Sequence, residues 1–397
     1  MMIQGKPISI FSVIRTLHII PAAVFIISFL IVPTVTATAA TPDSLLLDNQ
    51  QATPTDSATI TTHKESKILK PFKWAVGVMD VISDYLMGCD TSYITPQKYE
   101  FSTQMELSYF HDYYRMRSSR SGDDSEMVLQ SGNPLSLGIY AYWGPFGIGH
   151  SWNVEDIGKS KSKSNVNGYR NSFVLNTARI IGEVYTFGSG KSAKFTRISG
   201  IDLEGKDRSF GGLKSECFGV DAQYIFNHSR YSWPAAFGEN AVQKKAAGSF
   251  KAGISYCRMN ISFDPDEIST DIAADIDTTL FFDHVKYTDY AINFGYSYNW
   301  PFARNCLLAV SAIPSIGYRR SEINTNYSKQ VLDNISTDLF LRASLFWNNT
   351  KYFSGLVLDI HTYSYREKKF SLTNSYGTVK YILGFNFLKK AKYRNGK

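Results

Sequence analysis

Two histidines in this chain stand directly before serines, His150-Ser151 and His228-Ser229. A histidine beside a serine can make the hydroxyl nucleophilic, so a hydrolase is the first chemistry to weigh. A strand places residues i and i+2 on one face and sends neighbours to opposite faces. His150 therefore cannot activate Ser151 if both lie in a strand. His228 falls where strand regularity ends, so geometry leaves that pair open, though adjacency suits it poorly. His111, His284 and His361 are scattered, and Cys89, Cys217, Cys257 and Cys306 contain no Cys-x-x-Cys spacing. No metal site and no cofactor motif can be read from them. Cys217 and Cys257 face each other if their strands pair; otherwise each is a small packing residue on its own strand.

The elements that must position these residues are strands. The chain carries 25 Tyr and 26 Phe, an aromatic content that suits sheets. In YEFSTQMELSY (99–109), Phe101, Met105, Leu107 and Tyr109 alternate with Glu100, Ser102, Gln104, Glu106 and Ser108. The same period recurs in INFGYSYNW, TDLFLRASLFWN and VKYILGFNF. One face of each strand is apolar or aromatic, and the other carries groups that need water or a partner.

Alternation alone fits a soluble sandwich as well as a membrane barrel; the connections help to choose. Trp143, Trp300 and Trp347 stand at the edges of three tight turns, WGPF, WPFAR and WNNTKY. Tryptophans gathered at one end of the strands resemble a membrane-interface girdle. Short connections at 144–145, 188–191, 301–303 and 348–350 alternate with long ones at 117–131, 154–171, 200–212, 261–286 and 320–335. Outer-membrane barrels show this asymmetry, the short side being periplasmic. The expectation is an all-β chain: one antiparallel transmembrane barrel of about twelve strands over 90–388. Glu100, Glu106, Asp221, Arg342, Asp359 and Lys380 then face the lumen, where such a mixed set pairs internally or lines a solute path.

Ahead of the strands, residues 1–39 read as a secretion signal. They carry Lys6 and Arg15, an apolar run broken by Pro21, and Ala37-Thr38-Ala39 as a cleavage pattern. Residues 40–66 have the composition of a disordered linker. Residues 67–89 read as an amphipathic helix that packs on the following domain or lies at a membrane interface. Residues 389–397 form a basic tail. The net charge of +7 is carried by these ends: removing Lys6, Arg15 and the five basic residues of the tail leaves zero. That excludes a nucleic-acid surface. The partners expected are membrane lipid and the outer-membrane insertion machinery, with any solute or lipid cargo unnamed.

One connection breaks the alternation. NHSRYSWPAAFGENAVQKKAAGSF (227–250) is long, yet counting strands places it on the periplasmic side. Pro234 stops strand pairing there. Tyr231, Trp233 and Phe237 are expected to fold back against the lumen mouth or the helix, with Lys244 and Lys245 solvated. Together with His228 and Arg230 they make this loop the candidate functional element.

Four stretches carry a family resemblance: DTSYITPQKYEF, SLGIYAYWGPFGIGHSW, FNHSRYSWPAAFGENAVQKKAAGSF and YAINFGYSYNWPFARNCLLAVSAIPSIGY. They resemble the domain of unknown function 4421, over roughly 90–388. The resemblance implies an exported protein of the Bacteroidetes type built as an outer-membrane β-barrel. It brings no catalytic residue, because that family has no assigned activity. A structural or small-solute or lipid transport role follows best. A lipid-modifying outer-membrane enzyme and a soluble periplasmic ligand-binding barrel are the alternatives.

Overall fold

The computed structural model describes residues 86–394, except 121–122, 132–134, 155–156, 158–167, 190–192, 238–240, 326–327 and 367–369. The expected signal and linker, and all but the last few residues of the expected helix, lie outside the described residues. A short strand β1 (Ile94–Pro96) opens the order. It is followed by β2 (Tyr99–Arg120), β3 (Asp123–Ser131), β4 (Leu135–Trp143), β5 (Phe146–Asn153) and β6 (Tyr169–Asn176). Next come β7 (Ile180–Gly188), β8 (Ala193–Ile198), β9 (Ser209–Phe210), β10 (Leu213–Ile225), a helical turn α1 (Trp233–Phe237), β11 (Ala241–Gln243) and β12 (Ala247–Phe263). The helical turn α2 (Thr270–Ala273) precedes β13 (His284–Ala303), β14 (Cys306–Thr325), β15 (Ser328–Asn348), β16 (Tyr352–Arg366), β17 (Phe370–Lys389) and α3 (Ala391–Arg394).

Twelve of these strands form a closed antiparallel barrel in the order β2-β4-β5-β6-β7-β10-β12-β13-β14-β15-β16-β17, and β17 returns to pair with β2. The seam runs from Phe370 opposite Ser118 to Lys389 opposite Tyr99. Closure leaves the wall no edge strand, which a sheet in lipid requires.

The strand faces separate as the alternation predicts. On β13, Tyr290, Ile292, Phe294, Tyr296, Tyr298 and Trp300 are exposed, whereas Asp289, Asn293, Ser297 and Asn299 are buried inside. From Tyr290 to Trp300, ten steps of a tilted strand cover roughly 25 Å, the height of a bilayer's apolar band. In water that surface would be a contiguous apolar patch far beyond what soluble proteins tolerate. Trp143, Trp300 and Trp347 all point outward at the end where β4, β13 and β15 turn back. Phe101 stacks between Trp143 and Phe387 there, with ring centroids 6.3 and 5.7 Å away. The chain is a transmembrane β-barrel.

The short turns lie at the end marked by these tryptophans. Gly144 (φ 57°) and Asn305 (φ 62°) supply the left-handed backbone that the β4–β5 and β13–β14 turns need. Several sequence expectations are corrected. The turn expected at 188–191 is not one of these: Gly188, the last residue of β7, lies at the opposite end. The short turn is 177–179, where the Thr177 hydroxyl accepts from the Ile180 amide (2.8 Å) and donates to its carbonyl (2.6 Å). The connection expected at 320–335 is mostly strand, with β14 and β15 paired out to Thr325 and Ser328. The barrel wall starts at Tyr99 rather than residue 90, because residues 94–96 pair with β11 instead.

At the opposite end, β3, β8 and β9 extend the sheet from the upper part of β2. Phe195, Phe210, Phe263 and Phe282 pack there with Met116, Met127, Met259 and Ile272 in one buried cluster. An apolar core therefore occupies the outer part of the barrel.

Candidate functional site

The connection 227–246 lies at the same end as 144–145, 177–179, 304–305 and 349–351, opposite 264–283. It turns inward. Ser232 caps α1 through its hydroxyl, which accepts from the Ala235 amide at 3.1 Å, and Pro234 occupies the first turn, where a missing N–H costs nothing. Tyr231, Trp233, Pro234, Ala235 and Ala236 are buried. Trp233 and Phe237, ring centroids 4.3 Å apart, line the lumen cavity.

Buried Gln243 bolts this plug in place. Its oxygen accepts from the Ser232 amide (3.0 Å) and from Asn299 Nδ2 (3.1 Å). Its nitrogen donates to the carbonyls of Arg230 (2.6 Å) and Lys245 (2.9 Å). The wall contributes Asn299 Nδ2 to the Ser232 carbonyl (2.8 Å) and the Ser344 hydroxyl to the Ala236 carbonyl (2.7 Å). Lys244 and Lys245 are exposed, and Lys245 and Arg230 both reach the Tyr93 ring.

Cations from the wall hold the tryptophan. Lys251 is 1% exposed; its ammonium lies 3.8 Å from the Trp233 ring centre and donates to Ser311 Oγ at 3.3 Å. The Arg342 guanidinium lies 5.4 Å from the Trp233 ring centre and 5.3 Å from that of Phe237.

Above the plug is a cavity of about 220 Å³ lined by charge of both signs. Arg342 faces Asp359 across β15 and β16 and forms a two-pronged pair with it. Lys380 stands 3.7 Å from Asp359 and 3.5 Å from Glu106, whose carboxylate also accepts from Ser108 at 2.7 Å. Four adjacent strands, β15, β16, β17 and β2, thus carry a continuous chain of alternating charge across the seam. A separate pair joins Arg170 to Glu183 (2.9 Å), with Ser172 donating to the same oxygen (2.7 Å). Five sequence-predicted lumen residues, Glu106, Asp221, Arg342, Asp359 and Lys380, line this cavity; Glu100 does not. Glu100 sits at the start of β2, at the short-turn end, where its carbonyl accepts from the Gly144 amide. Sequence reasoning missed Arg170 and Glu183, whose only signal was the inward parity of β6 and β7; His361, set aside as one of the scattered histidines, also lines the cavity.

The serine–histidine pairs do not assemble. His150 points out of the barrel and bonds Asn171 at 2.7 Å, while Ser151 is buried on the inner face. Among the described residues no hydrogen bond joins His228 to Ser229. Burial, and then the Arg179 charge, hold the His228 imidazole below its ordinary value.

A family model for a domain of unknown function (DUF4421) matches residues 89–387. A search of curated proteins found no match. Among solved structures, the outer membrane protease OmpT of Escherichia coli is similar at 9% identity and a TM-score of 0.34, covering 72% of this chain and 96% of that one. The toluene transporter TodX of P. putida is similar at 7% identity and a TM-score of 0.22, covering 73% and 91%. The translocator domain of the Neisseria meningitidis autotransporter NalP is similar at 10% identity and a TM-score of 0.21, covering 81% and 97%. At such scores these likenesses add nothing to a barrel assigned from its own strand pairing. With the family model spanning the whole wall from the entry segment to the last strand, the chain belongs to the DUF4421 family of domains of unknown function.

Proposed function

We propose that this is an outer-membrane barrel held shut at rest, and that any small solute crosses it only when the periplasmic plug withdraws. One observation carries this reading: Trp233 and Phe237 of the connection at the short-turn end stand inside the lumen, against Lys251 and Arg342 of the wall. A purely structural barrel has no need to seat a removable segment on cations, because side chains of the wall alone can fill a narrow lumen. The outer apolar core supports the same resting state. The chain reaches its membrane through cleavage of the signal at 1–39 and the insertion machinery, and its aromatic outer face contacts lipid. Protein sequencing of the mature N-terminus tests the export step.

The gating step is tested in planar lipid bilayers. Wild-type protein is expected to hold no steady conductance, whereas a variant with residues 231–237 replaced by Gly and Ser opens discrete steps. A stable open-pore conductance from the wild type overturns the reading, and so does a variant that stays closed.

A further inference from the structure

Among the charged groups that line the cavity the acids and bases pair off, with one remainder, while Lys251, outside that lining, sits on the Trp233 ring. Glu183 is held by Arg170, Asp359 by Arg342 and Lys380, and Glu106 by Lys380. Asp221 also lines the cavity but makes no hydrogen bond or ion pair among the described residues. Arg170 and Arg342 line the same cavity, yet each is bonded to another carboxylate.

Two further acceptors converge beside it. Asn293 is 8% exposed and its Nδ2 donates to Ser255 Oγ at 3.2 Å, but its Oδ1 has no partner. Gln223 Oε1 is likewise buried and unpartnered. Both line the cavity. The registers bring them together: Asp221 is opposite Ser255, and Gln223 and Asn293 flank Gly253 from its two sides. A Cβ on Gly253 would come within 2.7 Å of Asn293 Oδ1, so the bare glycine lets the amide oxygen occupy that space. Buried acceptors left open in a polar cavity require a donor.

We propose that Asp221, Gln223 and Asn293 form a binding site for a small organic monocation bearing N–H donors, an alkylammonium or a guanidinium. A carboxyl with no ion-pair partner in the lining fits one positive charge, and the two amide oxygens fit hydrogens to accept. A cavity of about 220 Å³ is far larger than a bare ion needs and has room for a cation of several heavy atoms. The site does not depend on whether the plug opens, and its test uses no conductance.

The test is thermal melting of the full protein, refolded into detergent with each probe present. n-Butylammonium is expected to raise the melting temperature saturably in the millimolar range. Tetramethylammonium has the same charge but no N–H, and is expected not to do so. Asp221→Asn preserves shape and is expected to abolish the butylammonium shift while keeping the folded gel migration. Asn293→Leu is expected to weaken it at least tenfold. An equal shift with tetramethylammonium, an undiminished shift in Asp221→Asn, a shift with calcium chloride alone, or no shift in the wild type would each overturn the proposal.

Discussion

Lys251 belongs to the barrel wall and Trp233 to the connection beneath it, yet the ammonium of one lies 3.8 Å from the ring centre of the other. A desolvated cation–π contact is worth about 2 kcal/mol, and truncating a buried Trp to Ala typically costs about 3–5 kcal/mol. Trp233→Ala is expected to lower sharply the temperature at which the folded gel band disappears. Trp233→Phe, which keeps a ring face, is expected to retain most of the stability. Equal loss in both variants would show that Lys251 gains nothing from the ring.

Arg319, 2% exposed, lies between Asp289 and Asp338. Its Nε donates to Asp289 Oδ2 at 2.7 Å, and the Ser336 hydroxyl donates to Asp289 Oδ1 at 3.0 Å. Removing one partner of a buried pair strands the other, at about 3–5 kcal/mol. Arg319→Met is expected to lower the unfolding free energy from urea titration by that amount, and adding Asp289→Asn with Asp338→Asn to restore much of it. A triple variant no better than the single one would mean that the guanidinium matters for packing against Tyr287, whose ring centre is 4.9 Å away.

Glu126 ties β3 to the outer end of β2. Arg115 and Arg117 each reach its carboxylate at 2.7 Å. Burial alone would raise its pKa, but the bonds from these two arginines outweigh that and hold it below the ordinary carboxylate value of 4.5. A depressed folded-state pKa stabilises above the unfolded value and loses that contribution as pH falls through the folded one. Arg117 is half-exposed, so the effect is about 1 kcal/mol. Wild type is expected to exceed Glu126→Gln in stability at pH 7, and the gap to close on acidification below about pH 4. A gap independent of pH would rule out the carboxylate charge as its source.

Cys217 Sγ and Cys257 Sγ are 3.4 Å apart on the inner face of β10 and β12, one diagonal step across the register. Refolding with an oxidant is expected to join them, seen as a mass loss of about 2 Da and two thiols missing from maleimide labelling. At a sequence separation of 40, the bridge raises stability by at most about 4 kcal/mol in the chain-entropy picture. Full labelling after oxidative refolding would leave them as packing thiols.

Much of the wall was legible because lipid and lumen impose opposite chemistry on alternate residues. Met105 and Leu107 against Gln104 and Glu106 need only the period of two. Strand parity also placed 227–250 at the end of the short turns, although one of its supporting turns was misassigned. Thr177-Ala178-Arg179 has neither Gly nor Pro and turns through a side-chain hydroxyl, so its composition is silent, whereas GSGK reads as a turn although its first residue, Gly188, lies at the other end. Beyond the bilayer the outward face meets water, and alternation fades; hence β14 and β15 extend where 320–335 reads as loop. The charge network was partly legible. Arg342 and Asp359 announce themselves singly, but their pairing depends on register, and the acceptor pair at Gly253 depends on a residue with no side chain.

The seam between β2 and β17 joins the first and last strands of the wall, Tyr99 against Lys389. Contacts of such sequence separation are the slowest to form, since the chain between must be ordered first. Until that moment both strands are open edges bearing aromatic faces, able to pair with any neighbouring chain. Assembly therefore ends at this join, and a chaperone that shields the unpaired β17 would decide between a closed barrel and an aggregate.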